Sequence, residues 1–379
     1  MLRISNLIDS IINNKKSRVL DGNIIIWNFT NRCNLSCRHC YSYADPNSKD
    51  FLTTQFILQS IKSLKKAGVR FVIFSGGEPL IRKDIFDIAD QMRQEGIITY
   101  LSTNGLYVNE KNVDKIIDKF NYIGISIDGI KDVHDKFRGL EGAYEKSINA
   151  IKLIQKHGGN AGIRFTMTKE TEGSFYEMFK LAEQIGVDKL YLSHLVYSGR
   201  GLENLKIDIT KEKRIEFVNF IIDKAFEYFE TGKNIDIVTG NMEMDAIILL
   251  EKFSQKYPHK KDEMIKRLKQ WGGNSAGKRL GNINFMGIVK PDPFFPFDIG
   301  DMNQRSFDEI WLDKNNEILT KLRQKPRDIS GICAECSVKD ICNGGSRSRA
   351  YALSGDLWSE DPSCYLSKKQ RGVKWAKSF

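Results

Sequence analysis

The chain has 379 residues, 41% hydrophobic and 28% charged, an ordinary balance for a globular protein and more than one small domain needs. Its 58 basic against 48 acidic residues give a net charge of +10, which favours an anionic partner: nucleic acid, an acidic redox protein or a polycarboxylate. No basic arm or RNA-binding signature supports nucleic acid, no run nears the roughly 20 apolar residues of a membrane span, and the polar opening MLRISNLIDSIINNKKSR is no signal peptide, so the expected location is the cytoplasm.

After a lead-in, 1–21, short β-rich runs alternate with amphipathic helical segments. Strands are expected at 23–29, 70–75, 98–102, 122–127, 162–167 and 189–194. Between them lie helical patterns such as FILQSIKSLKKAG, IFDIADQMRQEG and AYEKSINAIKLIQKHG. Alternation of this kind predicts an α/β fold with a parallel sheet covered by helices. Six units are too few for an eight-fold barrel, so a partial (β/α)6 barrel over 22–232 is expected. Residues 211–270 read as helical with a polar break near TGKNIDIVTGN, and 233–270 are taken as a helical linker. From 271 the chain turns to glycine-rich turns, a proline-rich piece and a cysteine group, a C-terminal domain over 271–379.

The seven cysteines split into three and four, an odd count that argues against a closed disulfide framework. Cys33, Cys37 and Cys40 lie in CNLSCRHCY, after the first strand. Three thiolates at this spacing can hold three irons of a [4Fe–4S] cube and leave the fourth open, whereas cluster sites usually supply four cysteines. Zinc, which takes four ligands in structural sites, and buried reduced thiols are the alternatives. His39 lies between cysteines, not at a separate ligand spacing. Cys333, Cys336, Cys342 and Cys364 form the second group, which could close a [4Fe–4S] cluster or hold one zinc; spacing does not separate the two.

The remaining motifs fall at the C-terminal ends of the expected strands, where barrels of this class collect their chemistry. Gly76, Gly77, Glu78 and Pro79 follow strand two, STNG (102–105) strand three, SIDG (126–129) strand four and HLVYSGRG (194–201) strand six. Adjacent glycines let backbone approach a ligand. Each motif is also an ordinary turn between a strand and a helix.

The three-cysteine loop with GGEP resembles the radical S-adenosylmethionine (SAM) enzymes. That resemblance implies a SAM-binding [4Fe–4S] cluster on Cys33, Cys37 and Cys40. It implies SAM contacts from Gly76, Gly77 and Glu78 to the amino group, from Asn104 on the ribose side, and from Ser126 with Arg138 to the carboxylate. The C-terminal cysteines resemble part of a SPASM/twitch extension; four of them, where a full SPASM domain has seven, imply one auxiliary [4Fe–4S] cluster. Over nearly the whole length, with SHLVYSGRG, QWGGNSAG and CNGGSRSRA, the chain is similar to the NirJ-type branch of haem d1 biosynthesis and its relatives in the alternative haem pathway. The branch implies an anionic tetrapyrrole substrate, 12,18-didecarboxysirohaem, losing propionate side chains, and a low-potential donor such as ferredoxin or flavodoxin. The related deacetylase, a peptide maturase of the SPASM type and a non-catalytic iron–sulfur or zinc scaffold are the other readings. Arg164 and Arg200 are the expected carboxylate partners, with His194 and Tyr197 as iron or hydrogen-bond partners, though a strand-end histidine is commonly a core residue. Lys290-Pro291-Asp292 and Asn241-Met242-Glu243-Met244-Asp245 depart from the branch's pattern at segments that could line the substrate site.

Overall fold

A computed structural model describes residues 1–15 and 22–372. The end of the lead-in, 16–21, and the tail of the C-terminal domain, 373–379, lie outside the described residues.

Among the described residues eleven strands form one sheet: β1 (Leu2–Arg3), β2 (Asn23–Asn28), β3 (Val69–Ser75), β4 (Ile98–Thr103), β5 (Tyr122–Ser126), β6 (Ala161–Met167), β7 (Lys189–His194), β8 (Asp236–Gly240), β9 (Leu280–Ile283), β10 (Ile288–Lys290) and β11 (Gly300–Asp301). All six expected strands are present. Strands β2 to β8 are parallel and adjacent in chain order, as in a partial (β/α) barrel. Ile25, Trp27, Val72, Phe74, Ile123, Ile125, Ile163, Phe165, Leu190 and Leu192 are fully buried at alternate positions. The intervening positions, among them Ile24, Ile26, Ile73, Arg164, Tyr191 and Ser193, line the barrel's cavity. The period-two pattern thus separates packing face from working face, except at Phe165, which also lines the cavity.

Helices cover the packing face for local reasons. The helix Thr54–Lys66 starts where Thr53 accepts a bond from the Phe56 amide at 3.2 Å, and it buries Ile57, Ile61 and Leu64. The long helix Lys211–Thr231 starts at a Thr210 cap and ends at the left-handed Gly232.

The helical reading of 233–270 is corrected at β8, the seventh parallel strand. Its five residues, DIVTG, sit between polar turns and are too short to display a period, yet Ile237, Val238 and Thr239 are buried beside β7. The lead-in then adds β1 antiparallel to β8, with Arg3 paired to Asp236 at 2.7 Å. At the other edge β9 pairs in parallel with β2. The lead-in, the core and the C-terminal region therefore share one sheet. A buried ion pair, Arg349–Asp361 at 2.7 Å, ties them further, because Arg349 also donates to the Asn241 carbonyl after β8.

Candidate active site

The loop after β2 carries the cysteine triplet and is folded on its own backbone. The Cys33 amide donates to Asp45 at 3.1 Å, and the Asp45 amide to Asn31 at 3.2 Å. Two other strand ends brace it. The Gly77 amide donates to Thr30 and the Glu78 amide to Arg32, both at 2.8 Å. A Cβ on Gly76 would stand 2.3 Å from the Thr30 carbonyl oxygen, and one on Gly77 2.1 Å from that of Arg32. The glycines of GGEP are thus required by the close approach of β3's end to the cysteine loop.

Arg200, in the loop after β7, supplies the second brace. Its amide donates to Cys40 at 2.9 Å, its Nε to the Cys37 carbonyl at 2.7 Å and its Nη2 to that of Ala44 at 3.1 Å. Arg200 lines the cavity, as expected of a residue at the substrate, but its Nε and Nη2 are committed to backbone carbonyls of the cysteine loop, that of Cys37 being shared with the Cys40 amide. Tyr197 is a second correction. Its hydroxyl donates to Asp208 at 2.5 Å and meets Ser363 at 3.1 Å, and the ring is outside the cavity lining. Burial first, then Asp208, pushes the Tyr197 hydroxyl up to about 12.

Glu78 also differs from expectation. Its carboxylate is fully buried and accepts from Thr103 Oγ1 and the Asn104 amide at 2.8 Å and the Leu80 amide at 3.1 Å. It joins the ends of β3 and β4 and is outside the cavity lining. Burial raises its pKa to about 7 against those three bonds. Asn104 lines the cavity but gives its side-chain amide to Asn34 at 2.9 Å. Arg138 pairs with the fully buried Asp128 and points Nη1 at Cys37 Sγ, 3.6 Å away. Its expected carboxylate is thus supplied from within the chain. Asp128 accepts from the Thr166 amide at 2.6 Å as well. Sequence reasoning passed over this aspartate, although SIDG at a strand end was the signal. His39 stacks on Phe137 with centroids 4.5 Å apart, and burial lowers its pKa to about 4.

One cavity of about 400 Å³ runs along the concave face of the sheet. Cys33, Cys37, Cys40, Gly76, Gly77, Ser126 and Arg138 line it. Arg164, Tyr191, His194, Glu243, Asp292 and Phe294 line it as well. The Arg164 guanidinium lies over the Tyr191 ring, 5.0 Å from its centroid, and has no carboxylate partner among the described residues. Gly124 gives it room, since a Cβ there would stand 2.9 Å from Arg164 Cδ. Glu243 accepts from Asn274 at 3.1 Å through Oε1, while its buried Oε2 has no partner. Burial, with Glu243 nearby, raises Asp292 to about 6.

His194 is buried at the end of β7, with Nε2 3.2 Å from Asp245 Oδ2, and Asp245 Oδ1 accepts from Tyr365 at 2.7 Å. Tyr365 follows Cys364 directly. Cys333, Cys336, Cys342 and Cys364 are free thiols in the C-terminal region, Cys342 at the end of the short helix Lys339–Cys342.

The three loop thiols are also free and share one cavity wall. Burial pushes Cys33 up to about 12 and raises Cys37 against the pull of Arg138. Buried thiols of this kind are deprotonated by the metal they bind. Their donor set, open to a cavity on one side, fits a [4Fe–4S] cluster with a free iron.

The model of the Radical SAM superfamily matches residues 27–182. The chain is 37% identical to the Pre-heme d1 synthase of Dinoroseobacter shibae, over 98% of this chain and 94% of that one. It is 33% identical to the Fe-coproporphyrin III synthase of Methanosarcina barkeri, over 92% and 89%. The fold is that of Streptococcus suis SuiB, whose crystal structure bound to S-adenosylmethionine superposes with a TM-score of 0.71 at 16% identity, covering 91% of this chain and 78% of that one. The family implies a [4Fe–4S] cluster and SAM. With three free cysteines on a loop at the mouth of a parallel partial barrel and full-length relatives at these identities, the chain belongs to the radical SAM superfamily and is a radical SAM enzyme.

Proposed function

We propose that the chain removes propionate side chains from 12,18-didecarboxysirohaem, an iron-bearing tetrapyrrole, on the way to haem d1. The full-length likeness to a Pre-heme d1 synthase carries this reading. Cys33, Cys37 and Cys40 would hold the [4Fe–4S] cluster, which with SAM would supply the electron and the hydrogen-atom-abstracting chemistry that the reaction needs.

The chain's own residues then position and shield. Gly76 and Gly77 keep the cysteine loop against the barrel, and Ser126 offers a hydroxyl on the same wall. Arg164 pairs bidentately with a substrate carboxylate, turning an uncompensated cation in the cavity into an orienting contact. Ile24, Ile26, Ile73 and Phe294 exclude water around the reacting side chain. Asp292 and Glu243 form an acidic wall that keeps further substrate carboxylates away from that side.

Cys333, Cys336, Cys342 and Cys364 are assigned to one auxiliary [4Fe–4S] cluster, in an extension of the SPASM/twitch kind, and a low-potential ferredoxin or flavodoxin to the electron supply. Stoichiometric zinc at those four thiols would contradict the auxiliary cluster. The likeness to an Fe-coproporphyrin III synthase favours a second reading, removal of acetate groups from the same macrocycle. Anaerobic turnover of 12,18-didecarboxysirohaem followed by product mass spectrometry tests the proposal. Loss of propionate mass supports it, loss of acetate mass supports the second reading, and an unaltered macrocycle contradicts both.

A further inference from the structure

We propose that Arg138 raises the reduction potential of the cluster on Cys33, Cys37 and Cys40 by donating to the Cys37 sulfur, and that Asp128 positions Arg138 and offsets part of its charge; this rests on the assignment of a cluster to those three thiols. Arg138 closes the helix Asp132–Arg138, and that helix end is fastened to the cysteine loop. The Arg38 amide donates to the Phe137 carbonyl at 3.3 Å. At the left-handed Gly139, next in the chain, an added Cβ would stand 3.6 Å from the Ser36 carbonyl oxygen. Residues 137–139 therefore pack on residues 36–38, around Cys37. From there Arg138 Nη1 reaches Cys37 Sγ at 3.6 Å. The neighbouring Cys40 Sγ meets a neutral group, the Ser42 hydroxyl, at 3.5 Å.

Asp128 fixes the other end of the guanidinium. It is fully buried; Oδ2 accepts from Arg138 Nη2 and Oδ1 from the Thr166 amide at 2.6 Å. His39 Nε2 stands 3.7 Å from the same Oδ2, and burial, which lowers its pKa to about 4, keeps it uncharged at neutral pH. Arg138 is only 9% exposed, so its charge acts on the sulfur with little screening by water or salt. Net charge and hydrogen bonds to the sulfurs set cluster potentials, and a charged donor is the stronger kind. A donor on Cys37 favours the reduced cluster, which carries one more negative charge than the oxidised one. The carboxylate behind the guanidinium works in the opposite sense. Loss of the Arg138 charge should therefore lower the potential, and loss of the Asp128 charge should raise it.

The test is a redox titration of the reconstituted full chain without SAM, followed by EPR on the signal that disappears when Cys33, Cys37 and Cys40 are replaced by alanine. At a fixed potential, Arg138→Gln should shift the ratio of reduced to oxidised cluster about tenfold toward oxidised, about 59 mV for one electron, and the charge-keeping Arg138→Lys less than about threefold. Asp128→Asn should shift the ratio toward reduced. Wild-type protein carrying arginine labelled with ¹⁵N in its guanidinium should show ¹⁵N hyperfine coupling to the reduced cluster, a measurement that stands even if Arg138→Gln does not fold. Arg200→Lys should keep that coupling, since Arg200 is the other arginine bonded to the cysteine loop. Unchanged potentials together with weakened SAM binding in Arg138→Gln would overturn the proposal and return Arg138 to the SAM carboxylate. Shifts of one sign in Arg138→Gln and Asp128→Asn, as large a shift in Arg138→Lys as in Arg138→Gln, absent coupling, or coupling lost in Arg200→Lys would also overturn it. A wild type with no signal dependent on the three cysteines would overturn the cluster assignment, and the role of Arg138 with it.

Discussion

Arg200 Nε donates to the Cys37 carbonyl at 2.7 Å, so the loop after β7 holds the cysteine loop after β2 across the barrel mouth. Arg200→Ala removes this bond and the one to Ala44, which leaves the Ala44 carbonyl to find water and the Cys37 carbonyl with the Cys40 amide alone. The expected cost is about 1–3 kcal/mol of folding stability, with less iron taken up at Cys33, Cys37 and Cys40. Urea unfolding and iron analysis after anaerobic reconstitution measure both. Full iron together with lost macrocycle binding would return Arg200 to the substrate.

Gly77→Ala is expected to cost about 1–3 kcal/mol and to depress SAM cleavage, since the new Cβ meets the Arg32 carbonyl oxygen at 2.1 Å and must displace the cysteine loop. Gly173 is the control. It has ordinary backbone angles and no atom within 4 Å of an added Cβ, so Gly173→Ala should be near neutral. 5′-Deoxyadenosine formation in the two variants separates them.

Arg164→Ala should weaken macrocycle binding by about 1–3 kcal/mol, the scale of a lost charged hydrogen bond, with SAM affinity nearly unchanged. Its guanidinium stacks on Tyr191 without an ion-pair partner among the described residues, so the fold loses little with it. Absorbance titration of both ligands decides the matter, and an equal loss for SAM would sink the placement.

Asp292 gives a pH dependence of definite sign. Its folded pKa is raised from 3.8 to about 6, chiefly by burial. Below 3.8 the folded and unfolded states both hold the proton. As pH rises toward 6 the unfolded carboxyl gives it up while the buried one keeps it, so stability falls across that window by on the order of 3 kcal/mol. Asp292→Asn keeps an acceptor for the Phe294 amide and should remove that slope in denaturation measured from pH 4 to 7. A slope unchanged in the variant would assign it to another group.

The six core strands were legible because their β-branched runs are bounded by glycine and polar turns, and the motifs at their ends marked the mouth of the barrel. β8 was not, because five residues between polar turns carry no period and are fixed only by pairing with β7 and β1. For the site, residue type was legible and partnership was not. Glu78 and Arg138 are ionisable residues at strand ends, as a ligand site requires, yet each is engaged by this chain's own groups: Thr103 and the Asn104 amide for one, Asp128 for the other. Those partners lie 10 to 26 residues away in sequence and are joined by the turn geometry of the barrel. The same holds for His194, whose Asp245 and Tyr365 come from beyond the expected core.

The most direct test of the account follows a hydrogen atom. 12,18-Didecarboxysirohaem deuterated in its propionate side chains would be turned over anaerobically with SAM and a low-potential reductant, and the 5′-deoxyadenosine weighed by mass spectrometry. The account predicts deuterium in the 5′-deoxyadenosine, formed in step with the lighter macrocycle, and neither product when Cys33, Cys37 and Cys40 are replaced by alanine. Unlabelled 5′-deoxyadenosine accompanying macrocycle conversion, or label transfer that persists in the triple variant, would contradict it.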